Sequence, residues 1–125
     1  MVSRKLVKSL IKEYEKAWIT RNPEAIASIF TKNGIYHERV LEKPFVGSNQ
    51  IKKYWVDKVI GEQKNIRFKL LNFYIQDDTA IAEWEARFHN TKKNAEIHMK
   101  EVAILKIKGN KIAALREYWA SETLK

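Results

Sequence analysis

Three acidic or phenolic side chains in this 125-residue chain could move protons. Glu38 stands at the end of a short apolar run that starts at Ile35. Facing a pocket, its carboxyl would be desolvated, hold its proton more tightly and act as a base near neutral pH. On a rim it would be solvated, or paired with Arg39 or a lysine. Glu117 alternates with Leu115 and Trp119 on one strand face. If that face is concave, Glu38 and Glu117 form an acid/base pair; otherwise Glu117 pairs with Arg116, Lys111 or a cross-strand lysine. Tyr14 lies on the apolar stripe of the first helix. Its hydroxyl needs a partner when buried, whether a ligand, a water or a backbone carbonyl. His37 and His98 can titrate near neutrality. His98 shares its alternation with Val102 and Ile104, which makes it either a pocket acid or a hydrogen-bonded structural residue.

Other chemistries lack their residues. There is no cysteine, so disulfides, thiolate metal sites and cysteine nucleophiles are out. His89, Glu96 and His98 do not have the spacing of a metal set, and no metal or cofactor is expected. No phosphate-cradling glycine loop, dinucleotide fingerprint or nucleophile elbow occurs. Aromatics are abundant instead. Four tryptophans, Trp18, Trp55, Trp84 and Trp119, are more than a small core needs, so two or three are expected to line a ligand cavity. Tyr36, Phe88 and Val102 complete the expected lining.

The elements that must position these groups follow from periodicity. Leu6, Val7, Leu10, Tyr14 and Trp18 recur at helical spacing over residues 3–20, with Lys5, Lys8, Lys12 and Lys16 opposite. Asn22-Pro23 ends this helix and opens a second, from Pro23 to Phe30, with Gly34 as its exit. Ile35 to Arg39 reads as a short strand. Ser48 is placed to cap a third helix carrying Ile51, Tyr54, Trp55 and Val59, closed by Gly61. Four strands follow: Ile66 to Ile75, Thr79 to His89, Ala95 to Lys108 and Lys111 to Ala120. On the third-last, Ala82, Trp84, Ala86 and Phe88 share one face. Helices segregated from hairpin-linked strands predict one α+β domain over residues 1–125, a curved and mostly antiparallel sheet wrapped around the N-terminal helix. The apolar concave face under three helices is a natural central pocket.

Three stretches carry a family resemblance: EYEKAWITRNPEAIASIFTKNGIYHE from Glu13, KPFVGSNQIKKYW from Lys43, and GNKIAALREYWASE from Gly109. Together they resemble the SnoaL-like and nuclear transport factor 2-like superfamily, which includes ketosteroid isomerase and has a cone-shaped fold. The resemblance implies a role for each matching position. Tyr14 falls at that enzyme's oxyanion-hole tyrosine and Glu38 at its general-base aspartate, while Tyr118-Trp119 matches a pair whose tryptophan lines the pocket. Its third catalytic group, a protonated acid on the long strand, matches Val102; the neighbouring Glu101 should face the other way unless a bulge intervenes. The resemblance therefore implies weak or no isomerisation of an oxo-steroid, with binding of apolar ring compounds retained.

Charge bounds the partners. The net charge is +9, carried mostly by scattered lysines. With no aromatics interleaved among arginines, this points to a solvated surface rather than a nucleic-acid site. No apolar run reaches the ~20 residues of a membrane span, and the chain reads as soluble and cytoplasmic. The expected function is a small-molecule pocket protein. As a cofactor-free acid/base enzyme of isomerase, dehydratase or hydrolase type on an apolar substrate, it would use Glu38 as base, Tyr14 as oxyanion donor, and Glu117 or His98 as auxiliary acid. The alternative is a non-catalytic ligand-binding or dimerising scaffold. A homodimer is expected through the outer sheet face, with Leu71, Phe73 and Ile81 exposed there beside Arg67, Lys69, Glu83 and Glu85.

Overall fold

The computed structural model describes residues 1–124. Helix α1 (Arg4–Ile19) starts where the Ser3 hydroxyl accepts a hydrogen bond from the Leu6 amide at 3.0 Å. Its inner stripe, Val7, Leu10, Ile11, Tyr14, Ala17 and Trp18, is buried. Helix α2 (Pro23–Ser28) has Pro23 in its first turn, and the Asn22 side chain accepts from the Ala25 amide at 3.1 Å. Strand β1 (Phe30–His37) follows directly and β2 is the short Phe45–Val46. Helix α3 (Gly47–Tyr54) runs on into a π-helical turn, Trp55–Ile60. The long strands are β3 (Gln63–Gln76), β4 (Thr79–Asn90), β5 (Ala95–Lys108) and β6 (Lys111–Leu124).

One six-stranded sheet has the order β2-β1-β6-β5-β4-β3. Four of its neighbouring pairs are antiparallel, and β1 runs parallel to β6. The inner face is built by alternation. Ala82, Trp84, Ala86 and Phe88 on β4 and Ala103, Leu105 and Ile107 on β5 are all buried against the helices. Each large aliphatic buried this way contributes ~1.5–3 kcal/mol.

Four local expectations are corrected. Gly34 is not a helix exit but lies within β1, which begins at Phe30 rather than Ile35. The strand's register with β6 slips between Phe30 and Ile35, and a Cβ on Gly34 would stand 2.8 Å from the Phe30 Cβ. The close approach inside this irregularity explains the glycine. Ser48 does not cap α3: Gly47, at φ +82°, turns the chain early, and the Gln50 side chain accepts from the Val46 amide at 2.9 Å. Phe73 is buried, not on the outer face, because a bulge between Leu70 and Asn72 reverses the alternation and sets Phe73 opposite Ala82. Finally, β6 continues past Ala120 to Leu124 by pairing with the start of β5.

Candidate functional site

The register of β6 decides what meets at the centre. Parallel pairing of Tyr36 with Leu115 carries β1 along β6, so Tyr36 and the following Glu38 approach Glu117. On the other side Ala103 lies opposite Glu117, and Glu101 opposite Trp119. Glu101 and Glu117 are thus diagonal neighbours on the inner face. The small Ala82 and Ala103 leave room for Tyr14 to descend from α1; its ring lies 5.0 Å from that of Trp84.

Two phenols converge on one carboxylate oxygen. Tyr14 donates to Glu117 Oε2 at 2.7 Å and Tyr36 donates to the same atom at 3.0 Å. Burial first, then the charge of Glu117, pushes both phenols well above their ordinary range, so they stay protonated. Burial also raises Glu117, to about 7, against the hydrogen bonds from Glu101, Tyr14 and Tyr36 that favour its charged form; the charge of Glu38 raises it further. Glu101 is pushed well above the carboxylate range by burial, then by the charge of Glu117 and the hydrogen bond it gives to Glu117. The two carboxyls titrate as one interacting pair, both held above the ordinary carboxylate range. The Trp84 indole favours the charged form of Glu101. Even so, neither Trp84 Nε1 nor Glu101 Oε2 completes a hydrogen bond among the described residues.

Above this floor lies a cavity of ≈ 160 Å³. Trp18, Trp55 and Trp119 line it with Tyr54, Phe88 and Met99. Trp18 is fixed by Nε1 donating to Gln63 Oε1 at 2.7 Å, and Trp55 by Nε1 donating to the Ala17 carbonyl at 3.2 Å. The π-helical turn widens the helix where Trp55, Lys58 and Val59 face the cavity. At the mouth, Arg39 Nε donates to Glu38 Oε1 at 3.2 Å and the guanidinium lies over the Trp119 ring. Trp119 Nε1 donates to the Glu38 carbonyl at 3.1 Å. Burial raises the Glu38 pKa, opposed by Arg39. Among the described residues no three His, Asp or Glu side chains are grouped to hold a metal ion.

A sequence model of the SnoaL-like domain matches residues 11–115. The chain belongs to the SnoaL-like domain family. No curated protein matches the sequence. The domain is similar in fold to a hypothetical protein of ketosteroid isomerase-like fold from Catenulispora acidiphila, solved with trimethylamine. That pair shares 18% identity over 87% of this chain and 83% of that one, at a TM-score of 0.79. It is similar to a putative isomerase from Bacillus subtilis, with 15% identity over 96% and 90% of the two chains and a TM-score of 0.83. It is also similar to a type 2 hexachlorocyclohexane dehydrochlorinase, LinA, with 11% identity over 98% and 88% and a TM-score of 0.83. At these identities the likeness is one of fold.

Within this SnoaL-like domain the expected site residues fall into two groups. Tyr14, Tyr36, Glu38 and Glu117 meet at the cavity, and Trp18, Trp55, Phe88 and Trp119 wall it. The others are corrected. Trp84 is core, fully buried beneath Tyr14 and Phe68 and outside the cavity lining. Val102 is 37% exposed on the outer face, where it lies between Glu83 and Tyr118. His98 is on that same outer face, bridging Glu85 at 3.2 Å and Glu122 at 2.9 Å. Those two hydrogen bonds, to Glu122 first, raise its pKa. The strand acid facing inward is Glu101, 3% exposed. Its signal was in the sequence: Ile97, Met99, Glu101, Ala103, Leu105 and Ile107 form the apolar alternation of β5, while Lys100, Lys106 and Lys108 share the face of Val102 and His98. Tyr36 had been expected only as lining; its bond to Glu117 depends on the parallel register of β1, which no local pattern encodes.

Proposed function

We propose that this domain is a cofactor-free acid/base enzyme of isomerase, dehydratase or hydrolase type, acting on a small, mainly apolar substrate with Glu117 as its base. The observation that carries the reading is the Glu117 carboxylate. It is buried among the cavity lining, held by two phenols, beside the buried carboxyl of Glu101, and its proton affinity is pushed to about 7. A base poised near the working pH is half available and still strong. Glu117 takes a proton from substrate carbon. The electron pair left behind moves to an adjacent electron-withdrawing group or expels a leaving group, and the proton returns from Glu117 to another substrate atom or to water. Tyr14 and Tyr36 position the carboxylate, and Glu38 acts from the mouth by its charge. Two proteins of similar fold are named a putative isomerase and a dehydrochlorinase, and dehydrochlorination removes a proton together with chloride.

Size narrows the substrate. A cavity of ≈ 160 Å³ is close to the ~150 Å³ space that holds a benzene molecule. It suits one ring or a compact branched group, not a fused steroid. The trimethylamine found in the Catenulispora protein is of this scale.

One observation favours the non-catalytic reading: the phenol protons are taken up within the Tyr14–Tyr36–Glu117 cluster, where the two hydroxyls also lie 3.0 Å apart, so neither is free to polarise a substrate oxygen. Deuterium incorporation from heavy water into small ketones and nitroalkanes separates the two. Exchange abolished by Glu117→Gln supports the base. Exchange lost in Glu38→Gln but kept in Glu117→Gln moves the base to Glu38, and no exchange with any probe leaves a binding protein. We also propose a homodimer through the outer sheet face, supported by exposed Ile35, Ile81, Val102 and Tyr118 on four neighbouring strands.

A further inference from the structure

We propose that the cavity takes a small organic cation, a protonated or quaternary amine, seated on the Glu101–Glu117 pair and held against the faces of the surrounding aromatic rings. The inference deepens the reading of that pair as the working groups of the site and rests on it.

Charge at the cavity floor is one-sided. The cavity floor carries two carboxyl groups, and the charges that weigh on them are each other's and that of Glu38. The cations near the mouth are already answered: Arg39 pairs with Glu38 at 3.2 Å and Lys58 with Glu62 at 3.5 Å. Lys93, the remaining basic group of the lining, belongs to the hairpin turn after β4 and is not among the charges that weigh on Glu101 and Glu117. A chain of net charge +9 therefore keeps an acidic floor without a buried counter-cation among the described residues. An anion placed there would meet like charge, and a neutral ligand would leave it as it is.

The floor also holds an unmet hydrogen bond. Glu101 is 3% exposed and lines the cavity, and its Oε2 is buried without completing a hydrogen bond among the described residues, although the Trp84 indole acts on this carboxyl from the core. Such an atom is costly to leave bare, more so when charged. An ammonium N–H satisfies it; a quaternary amine offers its charge and weak C–H···O contacts instead.

The walls select the kind of cation. Trp18, Trp55 and Tyr54 line the space, and a ring face attracts a desolvated cation; the Trp119 ring already carries the Arg39 guanidinium. A metal ion wants several oxygen ligands, but here the second layer around the carboxylate is two phenol donors, and no cluster of three metal-binding side chains exists among the described residues. The volume, ≈ 160 Å³, fits a compact alkylammonium.

Binding must then couple to protons. The groups facing the pair are Tyr14 from α1, Tyr36 and Glu38 from β1 and its end, and Tyr54 and Lys58 from α3 and its π-helical extension, with Arg39 and Glu62 at the mouth. The tyrosines are held protonated by burial. The proton that a cation displaces is therefore one of those on the carboxyl pair.

The test is calorimetric titration of the full chain with three probes of one shape: tetramethylammonium, tert-butanol and pivalate. The cation should bind most tightly and the anion least. If only the ionised Glu117 accepts the cation, a midpoint near 7 makes its affinity about tenfold higher at about pH 8 than at about pH 6. Repeating the titration at the lower pH in buffers of different ionisation enthalpy should count close to one proton released per cation bound. Glu117→Gln should lose the preference for the cation and the proton release. If that variant does not fold, the proton count on the native chain decides. Equal or tighter binding of tert-butanol or pivalate overturns the proposal. So does cation binding that is the same at both pH values, or no cation binding at millimolar concentration. An NMR titration of the Glu117 carboxyl in the free chain separates the two claims. A midpoint near neutrality without cation binding removes the amine alone, whereas an ordinary carboxylate midpoint removes the base as well.

Discussion

Glu117 works against the fold that contains it. Its proton affinity rises on folding because burial penalises the carboxylate more than two phenols and Glu101 relieve it. A carboxyl raised in the folded state favours folding while protonated, below its unfolded pKa of ~4.3. That contribution is lost as pH climbs from there through about 7. Glu101, also raised, acts in the same direction. The native chain should therefore melt at a higher temperature near pH 5 than near pH 8, by a stability difference on the order of 3 kcal/mol for Glu117 alone. Glu117→Gln should flatten that slope, which thermal denaturation across this pH range reads directly. A melting temperature that rises with pH over this window would contradict the assignment.

At the scale of elements, β1 and β5 set the site, and they differ in how legible they were. The β5 face was readable from residue types, since three lysines mark one alternation as outward. Matching Val102 to a distant enzyme's strand acid obscured this; the stretch from Thr79 to Asn90 pairs with β5 without any slip, so Glu101 faces inward with no bulge. The register slip in β1 was not readable. It depends on Phe30 pairing with Ile112, a contact far apart in sequence. The start of α2 fared better because its capping is local: Asn22 and Pro23 act within their own turn as expected, whereas Ser48 gives way to Gly47 and Gln50. The β1 irregularity makes its own prediction. A methyl on Gly34 would lie 2.8 Å from the Phe30 Cβ and 3.0 Å from the Thr31 carbonyl oxygen. Gly34→Ala should destabilise the domain by about 1–3 kcal/mol and displace Tyr36 from Glu117. Urea denaturation measures the first effect and the Tyr36 ring resonances report the second.

For the whole molecule, fold class and the cone-like layering were legible, because helices and hairpin-linked strands are segregated along the chain. The size of the cavity was not, since it depends on how Trp18, Trp55 and Trp119 pack together. The outer face was legible in part. Leu71 and Ile81 are exposed as expected, Phe73 is not, and Val102 and Tyr118 extend the patch across β5 and β6. That patch should hold two copies together by a two-fold axis. Light scattering is expected to show a dimer at micromolar concentration, and Val102→Lys with Tyr118→Lys should yield folded monomer. A native chain that is monomeric under those conditions contradicts the dimer and leaves the cavity chemistry untouched.

Everything proposed for the cavity depends on the proton affinity of one carboxyl group. The most direct measurement is a pH titration of the Glu117 carboxyl carbon by isotope-edited NMR, assigned with Glu117→Gln. The account predicts a midpoint near 7, coupled to a second step from Glu101 at higher pH. Glu38→Gln should lower the Glu117 midpoint, because the Glu38 charge disfavours ionisation there. A single midpoint near the ~4.3 of an exposed glutamate, unmoved by Glu38→Gln, would contradict it.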